Sequence, residues 1–199
     1  MPLRQWMHYD IFETIPEGDV DRAPRQNRYD AQVAIYGWEV QEKINKINTF
    51  MIGAGALGCE LVKAFALMGV GCHEEGKVSV TDNDTIEVSN LNRQFLFRSN
   101  NVGHPKSQAA CHSAKEMNPN LNVKDYQTLV GPDTEGLFND PFWNSLDFVV
   151  NAVDNIKARL YVDGRCVFFQ KPLLESGTLG TKANMQMVVP HITQAYGDS

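Results

Sequence analysis

The sequence predicts an α/β fold: a mostly parallel sheet with helices packed on both faces. Three observations carry this. Short apolar strands alternate with amphipathic helices along most of the 199 residues, the pattern that gives parallel sheets with right-handed crossovers. The run Gly53-Ala54-Gly55-Ala56-Leu57-Gly58 lies between a strand and a helix. There the missing side chains allow a tight turn, a close approach to phosphate and close helix–sheet packing. The apolar run Phe148-Val149-Val150 is short and ends on polar residues, as a buried strand does.

The elements follow in order. Residues 1–27 hold Pro16, Gly18 and Pro24 among mixed charges and read as a linker. Their one apolar patch, residues 6–12, suits docking on a neighbour. The domain itself is expected over residues 28–199. Asp30 is expected to cap a short helix from Ala31 by accepting from a free backbone N–H. A second helix is predicted over 38–45 and the first strand over 48–52. Leu57, Leu61, Phe65 and Met68 recur at helical spacing, and Gly69 and Gly71 end that helix. Val78 and Val80 alternate with polar neighbours in a second strand. Residues 83–105 form a long polar loop, and such loops are often functional. A helix over 107–117, strands over 122–127 and 148–151, a helix over 158–169, and strands over 172–175 and 186–189 complete the chain.

Composition excludes several classes. The chain is 43% hydrophobic, enough to bury a core at this length. Its formal net charge is −6 and it has no Lys/Arg run, which argues against nucleic acid as a partner. No apolar run approaches the roughly 20 residues of a membrane span. The N-terminus has no signal-peptide core and Tyr196-Gly197-Asp198-Ser199 is no lipidation box, so the expected location is cytoplasm or nucleus, with no membrane partner. Cys59, Cys72, Cys111 and Cys166 are scattered, which argues against a zinc site or a disulfide framework.

The polar residues after the strands suggest a nucleotide. Gly53, Gly55 and Gly58 form the backbone cradle, and the helix beyond them favours anions. Asp82 ends the second strand, where an acidic residue meets ribose hydroxyls; the alternative is a turn aspartate. Arg93 offers a planar fork and Lys106 a point charge for phosphates, although either alone reads as a surface charge. Asn90 and Gln94 flank Arg93 and are candidates for phosphate or ribose. Asp154 follows a strand's carboxyl end. One carboxylate plus phosphate oxygens is a common way to hold Mg²⁺; the competing role is an N-cap of the following helix. Asn155, beside it, joins the nucleotide candidates. Cys59, near a helix N-terminus, is a weak nucleophile candidate, and buried structural cysteine is the preferred reading for all four.

Longer stretches say more. They are Arg28-Tyr29-Asp30-Ala31-Gln32, Gly58-Cys59-Glu60-Leu61, Asp84-Thr85-Ile86-Glu87, Ser89-Asn90-Leu91-Asn92-Arg93-Gln94-Phe95-Leu96-Phe97-Arg98 and Pro172-Leu173-Leu174-Glu175-Ser176-Gly177-Thr178-Leu179-Gly180-Thr181-Lys182. Together they resemble the ubiquitin-activating enzymes, in particular their active adenylation half, over nearly the whole chain. The wider superfamily includes the MoeB/ThiF adenylyltransferases and the SUMO-activating enzymes; residues 172–182 favour the ubiquitin member. The resemblance implies a Rossmann-like, ThiF/MoeB-like adenylation fold and ATP-dependent activation of ubiquitin's C-terminus, with acyl-adenylate formation followed by thioester formation. Carried over, Gly53, Ala54, Gly55, Ala56 and Gly58 line the nucleotide, and Asp82 holds ribose. Arg93, Lys106 and Asp154 are the catalytic residues: Arg93 and Lys106 hold phosphates and Asp154 the Mg²⁺. Arg28 points away from its own site.

The same resemblance marks departures. No cysteine here matches the family's thioester cysteine, and the chain is expected to be an adenylation-domain fragment without thioester activity alone. Implied partners are ubiquitin, the inactive adenylation half of a full-length protein, and ubiquitin-conjugating enzymes through regions absent here. Other readings are an NAD-dependent oxidoreductase, an adenylation half for another ubiquitin-like protein, a non-catalytic structural half, and a self-pairing fragment. The first leaves Arg93, Lys106 and Asp154 without work, and a non-catalytic half should have lost them.

Overall fold

The computed structural model describes residues 11–179 and 181–198. Most of the apolar patch over 6–12 therefore lies outside the described residues; Phe12 sits exposed in a single 3-10 turn, Ile11–Thr14. The six strands are β1 (Asn48–Ile52), β2 (Lys77–Thr81), β3 (Val123–Tyr126), β4 (Phe148–Asn151), β5 (Leu173–Leu179) and β6 (Lys182–Val188). They form one sheet in the order β3-β2-β1-β4-β5-β6. Every neighbouring pair is parallel except β5–β6. The expected mostly parallel sheet is therefore observed.

Alternation along β1 explains why both faces are covered. Met51 points to one core and Phe50 and Ile52 to the other, as the two-residue period of a strand requires. On the Met51 side pack α3 (Ala56–Met68) and α4 (Lys106–Met117), through Cys59, Val62, Phe65, Ala110 and Ala114. On the Phe50 side pack α6 (Ile156–Phe169), through Val162 and Cys166, and α5 (Asp140–Asn144), through Trp143. Phe50 touches Phe138 and Phe142 at ring-centroid distances of 4.9 Å each.

α1 (Asp30–Tyr36) and α2 (Trp38–Lys46) precede β1. Asp30 is the first residue of α1 rather than its cap. Its carboxylate reaches backward and accepts from the backbone N–H groups of Arg25 and Asn27, so it fastens the incoming chain instead. α5 escapes the sequence reading, yet it carries a clear signal. The Asn139 side chain accepts from Phe142 N, and Pro141 stands in the first turn, the residue pair expected at a helix start. β5 and β6 run longer than expected because Ser176, Gly177 and Thr178 pair with Met185, Asn184 and Ala183 in an antiparallel hairpin. Ser176, Gly177 and Thr178 carry no apolar side chain, and Ala183, Asn184 and Met185 are exposed, which hides the strand pattern.

Candidate functional site

The strand order reverses between β1 and β4: β2 and β3 lie to one side, β5 and β6 to the other. Open α/β sheets bind ligands at such a switch point, beyond the strands' carboxyl ends. A cleft of about 540 Å³ lies there, lined by the segments that leave β1, β2, β3 and β4 and by Gly177 and Thr178 of β5. Its size suits a small molecule or nucleotide.

The glycine loop forms one wall. Gly53 has φ 101°, a left-handed conformation that glycine adopts readily. A Cβ at Gly53 would stand 2.5 Å from the Ala152 carbonyl oxygen, whereas one at Gly55 would meet nothing within 4 Å. Gly53 thus lets two strand ends meet, and Gly55 leaves open space where α3 begins. Gly53, Gly55 and Ala56 line the cleft; Ala54 and Gly58 do not. Both are buried, and Gly58 serves the packing of α3 against the Gly53 backbone.

Asp82 follows β2 and lines the cleft. One carboxylate oxygen accepts from Ala54 N at 2.7 Å and the other from Asp84 N at 2.8 Å. It therefore ties the glycine loop to the second strand. Burial raises its pKa above the ordinary carboxylate value, and the two backbone hydrogen bonds pull the other way. Lys106 is the first residue of α4 and is 8% exposed. Its ammonium pairs with the Asp84 carboxylate at 2.7 Å, and both line the cleft. A buried cation at this place needs an anionic partner.

Arg93 and Gln94 come from the long loop and line the same cleft. That loop is pinned by buried Ile86, Leu96 and Phe97 and by 3-10 turns at Val88–Asn90 and Ser99–Asn101. Arg93 donates to Ser89 O at 2.9 Å. Gln94 is buried, and its Oε1 has no hydrogen-bond partner among the described residues. Asn90 does not line the cleft. It is buried, and its Oδ1 accepts from Glu87 N at 3.0 Å, so it shapes the loop that presents Arg93.

Asp154 lines the cleft and is exposed. The cap of α6 is its neighbour Asn155, whose Oδ1 accepts from Ala158 N at 2.8 Å. Asn155 lines the cleft too, but its side chain is committed to the helix. That leaves the Asp154 carboxylate outside the capping role. Among the described residues no group of three or more His, Cys, Asp or Glu side chains has metal-holding geometry. The residues nevertheless fit Mg²⁺ as it is commonly bound to nucleotides, by one or two carboxylates with phosphate oxygens supplying the rest. Arg28 keeps to the far end of α4, where its guanidinium donates to Met117 O at 2.8 Å.

Sequence reasoning missed Arg159, which also lines the cleft. Its guanidinium pairs with Glu175 and donates to the Val153 and Ser176 carbonyl oxygens. No local motif marks it, because its partners come from the turn after β4 and from β5.

A glycine loop after β1, an acid after β2 and cations facing them at the switch point define a nucleotide-type α/β domain. Residues 29–199 match the ThiF family, and the chain belongs to that family. It is 53% identical to mouse "Ubiquitin-like modifier-activating enzyme 1" over 204 residues, 100% of this chain and 19% of that protein. It is 54% identical to Schizosaccharomyces pombe "Ubiquitin-activating enzyme E1 1", of which it spans 20%, and 53% identical to Arabidopsis thaliana "Ubiquitin-activating enzyme E1 1", of which it spans 19%. The chain thus spans about a fifth of the length of these relatives. The crystal structure of E. coli MccB with succinimide superposes with a TM-score of 0.76 at 22% identity, covering 87% of this chain and 51% of that one. The latter likeness speaks to the fold.

Proposed function

We propose that residues 28–199, preceded by a linker, form the ATP-binding adenylation unit of a ubiquitin-activating enzyme. The observation that carries the reading is Lys106. It is a buried lysine at the first turn of α4, in the same cleft as Arg93, Asp82 and Asp154. A dinucleotide oxidoreductase has no work for these two cations and the separate carboxylate. Polyphosphate does. The relatives named as ubiquitin-activating enzymes support the choice of substrate.

The chemistry follows from charge. A terminal carboxylate has a pKa near 3.5 and is ionised at neutral pH, so its attack on the α-phosphate needs no general base. The C–O–P bond forms as the α–β phosphoanhydride breaks, and pyrophosphate leaves with the electron pair. What remains for the protein is positioning and charge stabilisation. Asp82 accepts from ribose hydroxyls. Arg93 and Lys106 donate to phosphate oxygens, and Lys106 exchanges Asp84 for phosphate in doing so. Asp154 would hold Mg²⁺, which when bound would supply positive charge against the phosphates. Within the larger protein, an inactive adenylation half and ubiquitin-conjugating enzymes are the further partners.

Calorimetric titration with Mg·ATP tests the reading. Arg93→Ala and Asp154→Ala should each weaken binding by roughly 10- to 100-fold, the loss expected for a charged hydrogen bond or ligand of about 1.5–3 kcal/mol, with unfolding midpoints unchanged. Wild-type affinity in both variants would remove the assigned site.

A further inference from the structure

A buried polar strut that reaches the carbonyl preceding Asp154 joins three segments of the fold. Arg159, on the second turn of α6, is 9% exposed and Glu175, on β5, is 1% exposed. The guanidinium pairs with Glu175 Oε1. It also donates to Ser176 O at 2.9 Å and, through its other terminal nitrogen, to Val153 O. The second Glu175 oxygen accepts from Asn151 Nδ2 at 2.7 Å, and Ser176 Oγ donates to Asn151 O at 3.1 Å. The strut thus binds the end of β4, the start of α6 and the middle of β5. Gly177 completes it: a Cβ there would stand 2.7 Å from Arg159 Nη2.

Burying an Arg–Glu pair brings little net stability, because desolvation offsets the attraction. A planar fork bridging three acceptors does something else: it fixes directions. One of the three acceptors is the carbonyl of Val153, whose next peptide carries Asp154. The ladders of β4 end at Asn151, and the turn from Ala152 to Asn155 follows them. Its geometry is held at one end by Ala152 N bonding Ile52 O at 2.8 Å, at the other by the Asn155 cap, and in the middle by Arg159.

We propose that Arg159, with Glu175 and Gly177, is a positioning device that aims the Asp154 carboxylate at the metal of the bound nucleotide. This rests on the ATP-site reading above. Arg159 itself touches neither metal nor phosphate in this role. Outer residues that orient a metal ligand typically account for 10- to 100-fold in metal affinity.

The test uses the 199-residue chain. The Mg²⁺ concentration that gives half of the maximal thermal stabilisation is measured at fixed, saturating ATP for wild type, Arg159→Lys and Gly177→Ala. Arg159→Lys keeps the charge and loses the fork; Gly177→Ala displaces the guanidinium and leaves both charges in place. Both variants should need roughly 10- to 100-fold more Mg²⁺, a larger change than any in the stabilisation given by ATP in EDTA. If Arg159→Lys does not fold, Gly177→Ala carries the test. Equal Mg²⁺ requirements in wild type and Gly177→Ala would overturn the proposal. So would a loss of ATP affinity that is the same with and without metal, which marks a purely structural role. Absence of any Mg·ATP stabilisation in the wild type would instead overturn the ATP-site reading and this proposal with it.

Discussion

Two of the cations lining the cleft are balanced by carboxylates and a third is not, and that decides what each can do. Lys106 faces Asp84 and Arg159 faces Glu175. Arg93 has no carboxylate partner among the described residues and rests on a carbonyl and an amide. On the proposed reading, Arg93 is therefore a cation that an incoming phosphate would reach without displacing an acid. The cysteines are built for packing. Burial pushes the Cys59 thiol up to about 11 and raises Cys111 and Cys166 well above the ordinary range; Cys72 is half-buried and shifted up as well. The thiolate is the reactive form. Iodoacetamide at neutral pH should modify Cys72 first and the other three only on unfolding, as read by mass spectrometry. The same burial predicts that this chain forms no reducible ubiquitin adduct. A thioester on Cys59, seen on a non-reducing gel, would contradict that. Asp82, Arg93, Lys106 and Asp154 were picked from the sequence and all line the cleft, because Asp82 and Asp154 follow strand ends, Arg93 stands on the long loop and Lys106 opens the helix after it. Gly58 came with the glycine motif, Ala54 with the family resemblance and Asn90 by flanking Arg93; all three are buried and none lines the cleft. Neighbours in a turn face different ways, and these three turn inward. Arg159 was illegible because only the assembled sheet brings Val153, Glu175 and Ser176 around it.

Among the elements, the glycine loop divides its labour between folding and binding. At Gly58 a new Cβ would run into the Gly53 backbone, which cannot yield, whereas at Gly55 it would enter open space. Gly58→Ala should cost about 1–3 kcal/mol in urea unfolding, the usual range for overpacking. Gly55→Ala should cost at most about 1 kcal/mol, the difference between glycine and alanine at a helix N-cap, yet weaken Mg·ATP binding by narrowing the cleft. Equal stability losses in the two variants would contradict this division. β1, β2 and β4 were read from sequence at their observed bounds because buried apolar residues fill them. The β5–β6 hairpin was read short because its outer part lacks an alternating apolar pattern and the outer residues of β6 are exposed, so pairing rather than burial defines it. α5 was missed for its brevity, although Asn139 and Pro141 announce it.

At the scale of the whole molecule, two cores on opposite faces of one sheet hold the strand ends level, and the reversal of strand order opens the cleft between them. The alternation of strands and helices in the sequence dictates this layout, and the glycine loop marks where the cleft must lie. The same frame serves dinucleotide enzymes, so the side chains around the cleft, not the frame, choose the ligand. The most direct measurement is thermal unfolding of this chain with Mg·ATP and, separately, with NAD. A ligand at a hundred times its dissociation constant adds about 2.7 kcal/mol of stability. The account predicts that stabilisation with Mg·ATP and none with NAD. Stabilisation by NAD and indifference to Mg·ATP would contradict it.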